Sequence, residues 1–173
     1  MTIPTETARA KSDYYVEGYA TTFDPYVLLE FDGEKIYEQV ERNALTETDM
    51  SDVILQFDHA GFVFARTSND TLGMEVDNHG LLVWADLSKT SRARELYEDI
   101  KAGMITGMSF RASVECRLDE EEDGRLLNRI TKMKKLYDVS AVSIPANDGT
   151  EIAARAKTLE QDKLALERER MKM

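Results

Sequence analysis

Between residues 53 and 87 the chain repeats one pattern, a short apolar run followed by a cluster of turn formers. Val53-Ile54-Leu55-Gln56-Phe57 closes on Asp58-His59-Ala60-Gly61, and residues 62–66, 72–76 and 81–87 follow, separated by Ser68-Asn69-Asp70 and Asp77-Asn78-His79-Gly80. Runs this brief are too short for helices and have the length of strands. The last three read as an antiparallel meander, with Asn78 and Gly80 supplying the positive φ of a tight hairpin turn. The same signature recurs outside this stretch. Residues 14–23, YYVEGYATTF, are rich in aromatic and β-branched side chains and end on Asp24-Pro25. Residues 108–118 alternate in part with period two, the acidic turn DEEEDGR follows, and residues 126–136 and 137–144 read as two further strands before Pro145.

Helical signals are fewer. In SRARELYEDIKAG, Ala93, Leu96, Tyr97 and Ile100 recur at helical spacing, Thr90 or Ser91 can cap the start, and Gly103 supplies the stop. Residues 35–50 suit a strand entering a short helix, with Thr46 as its N-cap. Residues 1–12 are polar and without periodicity, a mobile arm; residues 157–173 form a charged helical tail with little apolar face. The expected architecture is mostly β with some α: residues 13–156 as one domain, a curved antiparallel β-barrel with flanking helices.

Composition narrows the function. With 173 residues, 42% of them hydrophobic, one core can be buried but not two. The net charge of −11, from 22 basic and 33 acidic residues, argues against general affinity for nucleic-acid phosphates. A lone Cys116 cannot form an internal disulfide, and no Cys/His spacing suits zinc. No apolar run approaches the roughly 20 residues that span a bilayer, and the start lacks a signal peptide's apolar stretch, so a soluble intracellular protein without membrane attachment is expected. Phosphate loops, HExxH pairs and dinucleotide fingerprints are absent, so no cofactor or metal is expected.

Hydrolytic chemistry is the remaining search, and two histidines make it short, because a serine nucleophile needs an imidazole to take its proton. His79 is accounted for by its turn. His59 lies where an apolar strand hands over to a loop, and is either a polar strand end or a base. Ser109 sits between Met108 and Phe110 behind Gly103 and Gly107, either a plain strand serine or a fixed nucleophile. Gly107-Met108-Ser109-Phe110-Arg111 lacks the second glycine of a nucleophile elbow, which argues against an α/β-hydrolase. Asp138 interrupts the apolar run 136–144, where a carboxylate costs desolvation unless partnered; it orients an imidazole or faces solvent.

Four segments together carry a resemblance. Residues 52–59 (DVILQFDH), Ala65-Arg66-Thr67 with Asn69, Thr71 and Leu72, residues 102–110 (AGMITGMSF), and residues 136–140 (LYDVS) with Ile144-Pro145-Ala146 resemble, in order and spacing, the prohead maturation proteases of tailed double-stranded DNA phages. The resemblance covers about residues 14–155. It implies a serine endopeptidase related in fold to the herpesvirus assemblins, with His59 as general base, Ser109 as nucleophile and Asp138 as acidic third member. Asp58 and Glu115 stand as alternatives for that acid, because the assemblins use a second histidine there. Arg66, Arg111 and backbone amides near Ser109 are candidates for oxyanion donors. The implied substrates are the scaffold protein or the scaffolding extension of the major capsid protein, and the protease's own chain. The implied setting is the host cytoplasm, inside the prohead. Activation as a homodimer, as in the assemblins, is a further expectation, and the charged tail is expected to recruit the protease to the shell. Two other readings compete: a catalytically silent capsid or scaffold component, and a small β-barrel binding module.

Overall fold

A computed structural model of the chain describes residues 12–144. The strands are β1 (Tyr15–Thr22), β2 (Tyr26–Phe31), β3 (Glu34–Val40), β4 (Ile54–Phe57), β5 (Ala60–Arg66), β6 (Leu72–Val76), β7 (Gly80–Asp86), β8 (Gly107–Glu120) and β9 (Leu126–Val142), with one helix, α1 (Ser91–Lys101), before β8. The arm at 1–12, apart from Ser12, and the tail at 157–173 lie outside the described residues.

The longest strand organises the rest. β9 runs 17 residues and pairs along one edge with β8, antiparallel, from Gly107↔Val142 to Glu120↔Leu126. Its other edge takes two strands in succession, both parallel: β3 beside its first part (Ile36↔Leu126 to Val40↔Ile130) and β4 beside its last (Ile54↔Asp138 to Phe57↔Ala141). The hairpins β2–β3 and β4–β5 complete this six-stranded sheet, and β1, β7 and β6 form a second, three-stranded one.

Two sheets that stay open replace the expected closed antiparallel barrel. The physical reason lies in β9, whose two edges are used up by β8, β3 and β4. The outer edges of β8 and β5 then have no hydrogen-bonded strand between them among the described residues, and β1 comes near β8 without forming a ladder. Parallel pairing arises because long connections return β3 and β4 in the direction of β9. One helix, rather than several, flanks the sheets among the described residues.

Residues 126–136 and 137–144, expected as two strands, form a single one, ending at Val142. The β8–β9 register shifts three times, between Arg111/Ala112, Ser113/Val114 and Glu115/Cys116, which skips Tyr137, Lys134 and Thr131 on β9. Such bulges bend a ribbon without ending it. The expected meander also divides: Thr67–Asn69 forms a 3-10 turn closed by Asp70 at φ 62, and β6 departs to the smaller sheet. Near residue 46 the helix is only a 3-10 turn, Arg42–Leu45, with Thr46 at its C-terminal end rather than its N-cap. The strand expected within residues 35–50 is β3; β2 ahead of it was not expected, and Asp32 (φ 50) and Gly33 (φ 80) make the turn that joins the two.

α1 matches the expectation. Ala93, Leu96, Tyr97 and Ile100 are buried, Thr90 Oγ1 accepts from the Ala93 N–H at 3.1 Å, and Gly103 takes φ 75 beyond the last turn. These residues join Val16, Leu55, Leu81, Val83, Phe110, Met133 and Val139 in one core between the sheets and the helix.

The Asp77–Gly80 turn forms, but without positive φ at Asn78 or Gly80. Asp77 Oδ1 instead accepts the N–H groups of His79 (2.7 Å) and Gly80 (3.0 Å), and Tyr19 donates to Oδ2 at 2.6 Å. Gly80 is required by space: a Cβ there would stand 2.1 Å from the Thr21 carbonyl oxygen in β1. Gly80→Ala is therefore expected to push β1 off β7 and cost about 2–3 kcal/mol, read as a lowered thermal midpoint.

Candidate active site

The site grows from the end of β4. Phe57 pairs with Ala60 in the β4–β5 hairpin, so Asp58 and His59 form a two-residue loop, with φ of 47° and 56°. Both central residues of a type I′ turn take positive φ, and Asp and His enter that region more readily than most side chains. The turn is tied down on both sides. Asp58 N–H donates to the Ala141 carbonyl at 3.0 Å, and its carboxylate accepts from Ser143 N–H at 3.0 Å. His59 N–H donates to Ser140 Oγ at 3.1 Å.

This anchoring delivers the imidazole to β9. His59 Nδ1 lies 2.5 Å from Asp138 Oδ1, with 5% of the histidine side chain and none of the aspartate's exposed. Ser140 Oγ donates to the same Oδ1 at 3.0 Å. Arg111 Nε, on β8 directly across from Asp138, forms an ion pair with Oδ2 at 2.7 Å. The buried carboxylate thus has a cation on one oxygen and two hydrogen-bonding groups on the other, which offsets its desolvation.

Ser109 reaches the same face by register. It stands opposite Ser140 in the β8–β9 ladder, two residues before Arg111, and is half-buried. Opposite residues share a face and residues two apart on a strand share it too, so Ser109, Arg111, Asp138 and Ser140 lie on one side of the sheet. Gln56, in parallel register with Ser140, joins them. The three candidates from the sequence, His59, Ser109 and Asp138, are therefore gathered on three consecutive strands, β4 with its turn, β9 and β8.

The alternatives are drawn elsewhere. Asp58 is adjacent to His59 but its carboxylate holds Ser143. Glu115 lies six residues along β8 from Ser109, roughly 20 Å at strand spacing, exposed and paired with Lys134 Nζ at 2.9 Å, whose hydrogen bond lowers its carboxyl pKa. Arg66 is bound to Asp52 through Nε (2.9 Å) and Nη2 (2.8 Å); that hydrogen bond lowers the Asp52 pKa and raises the guanidinium's. His79 is a turn residue, its ring edge-on to Tyr19 at 4.5 Å between centroids.

Ser140 is the site residue the sequence reading left without a role. The signal was present: it follows Asp138 by two, so both point to one face of any strand. What alternation could not show is which neighbour it would meet.

Chemically, an imidazole whose Nδ1 is held by a buried carboxylate has Nε2 left as a candidate base, and Ser109, across β9 on β8, is the candidate nucleophile. These are the side-chain types a serine hydrolase uses. The chain belongs to the caudovirus prohead serine protease family, whose model matches residues 2–164. It is a protease of phage capsid maturation, a hydrolase of the serine class, and a capsid component within the host cell. No curated protein and no solved structure gave a match. No helix among the described residues is long and apolar enough to cross a membrane.

Proposed function

We propose that the chain is an endopeptidase that cuts the scaffold protein, or the scaffolding extension of the major capsid protein, and its own chain, with Ser109, His59 and Asp138 as its catalytic residues. The observation that carries this reading is the 2.5 Å contact of His59 Nδ1 with the fully buried Asp138, on the face and one strand from Ser109. As His59 Nε2 takes the Ser109 hydroxyl proton, Oγ bonds the peptide carbonyl carbon. The tetrahedral adduct then expels the amine, which receives that proton, and leaves an acyl-enzyme. Water, deprotonated by the same nitrogen, releases the acid and restores Ser109. Asp138 stabilises the imidazolium in both halves, and Arg111 holds the carboxylate's other oxygen.

Within this reading the arm at 1–12 and the tail at 157–173 are the segments we assign to self-cleavage and recruitment, around one protease domain at 13–156. The shell interior is the setting we assign, and a homodimer the working form. The test is co-expression of wild type and Ser109→Ala with the capsid and scaffold proteins, followed by intact mass of every product. Cleavages lost only in the variant support the reading. Identical products in both samples favour the silent assembly component instead.

Ser140 fits here as a positioning residue, since it bonds both the His59 main chain and Asp138. Ser140→Ala is expected to lower kcat/KM about tenfold, the loss of one net hydrogen bond of about 1–1.5 kcal/mol, with Ser140→Thr recovering part of it. A peptidase assay on one cleavage site from the co-expression checks this.

A further inference from the structure

An open cavity of about 250 Å³ lies at the edge of the larger sheet, between β5 and α1. Phe57, Phe64, Leu96 and Ile105 make its floor and walls. Leu96 and Ile105 are buried, while Phe57 and Phe64 are half-buried and pack against the main core. Phe62, 54% exposed, forms a further wall, and the Arg92 guanidinium, also part of the lining, lies 3.5 Å from its ring centroid. Glu95 and Asp99, one turn apart on α1, are exposed at the mouth.

The cavity adjoins the His59 and Ser109 segments through two connections. Phe57 pairs with Ala141 and Ala141 with Met108, the neighbour of Ser109. Two strand spacings put Phe57 roughly 10 Å from Met108. Ile105 precedes Ser109 by four residues, a span of at most about 14 Å. Phe57 faces the opposite side of the sheet from Ser140, so a chain connecting the two must cross the sheet end at the Asp58–His59 turn. The segments that lead to and from that end carry exposed apolar side chains: Val63 on β5 at 44%, Ile144 after β9 at 60% and Met104 before β8 at 73%.

We propose, on the reading that Ser109 is the nucleophile of a peptidase, that this cavity is a specificity subsite. It takes one large apolar side chain, Phe, Leu or Met, of the capsid or scaffold substrate, within about three residues of the scissile bond at roughly 3.3–3.6 Å per residue. The size suits it, since a dry cavity of about 150 Å³ already admits benzene. The chemistry suits it too. Phe57, Phe64, Leu96 and Ile105 carry no polar side-chain atom, so a charged head brought down among them would lose hydration, while the charged groups of the lining, Arg92, Glu95 and Asp99, are exposed on α1. Glu95 and Asp99 at the mouth repel an acidic side chain as it approaches.

The test uses peptides centred on a cleavage site found in the co-expressed capsid or scaffold protein, with four positions on each side varied in turn among Phe, Leu, Ala, Lys and Glu. Wild type, Phe62→Ala and the double variant Glu95→Lys with Asp99→Lys are compared by kcat/KM. Wild type is expected to prefer Phe or Leu over Ala by about tenfold or more at one position within three of the bond. Phe62→Ala should compress that ratio below about threefold at that position alone, and the double lysine variant should keep it. An equal loss at every position in Phe62→Ala, or a wild-type preference for Lys that the double variant abolishes, would overturn the subsite. Ser109-dependent cleavage without any apolar preference overturns the subsite alone. Absence of Ser109-dependent cleavage overturns the peptidase reading and the subsite with it.

Discussion

Ser109→Ala is expected to reduce peptide cleavage by about 10⁴–10⁶-fold, the scale on which a nucleophile in a cooperating triad fails when removed alone. The fold should survive, because the change trims one oxygen from a half-buried strand position, an effect within about 0.5 kcal/mol. The two parts of that expectation are measured separately. A fluorophosphonate probe should add to Ser109 in wild type, located by peptide mass, and to nothing in the variant, while the thermal midpoints coincide. Labelling that persists in the variant, or cleavage that persists, removes Ser109 from the mechanism.

Asp138→Asn is expected to have the second-largest effect, about 10³–10⁴-fold in kcat, because an amide can hold the imidazole in the wrong tautomer and cannot stabilise the imidazolium. It also leaves Arg111 without its anionic partner at 2.7 Å. Arg111 is 40% exposed and can turn to solvent, so the stability cost should be modest, about 1–2 kcal/mol in denaturant unfolding. Asp58→Asn and Glu115→Gln serve as controls, each expected within about tenfold of wild type. Glu115 is distant from the imidazole, and Asp58 holds Ser143 rather than the ring. If Asp58→Asn were the more damaging change, the third member would have to be reassigned.

The candidates were legible one at a time, because each broke a local pattern, and it was the family resemblance that joined them into one site. His59 stood at the end of an apolar run, Asp138 interrupted one, and Ser109 sat between two large apolar residues after a glycine connection. α1 was legible for the same reason, its apolar spacing and its Thr90 cap being local. Of the hairpin β2–β3 only β3 was expected, within residues 35–50; β2 was not, although the Asp32-Gly33 turn beside it is a local hairpin signal. Nor was the continuity of β9, since bulges at Thr131, Lys134 and Tyr137 disturb the alternation by which a strand is recognised.

Residue order and type were enough for the β class, the single helix of the described residues, the acidic charge and the three side chains suited to hydrolysis, because these depend on periods of two to four residues and on chemistry each residue carries alone. The tertiary structure decided what is non-local. It seats β3 and β4 side by side on one edge of β9, leaves the sheets open, and turns two positive-φ residues so that an imidazole meets a carboxylate 79 positions away. Strand pairing of that kind is settled by which edges are left after every other strand has found its place, and no window of sequence contains that information.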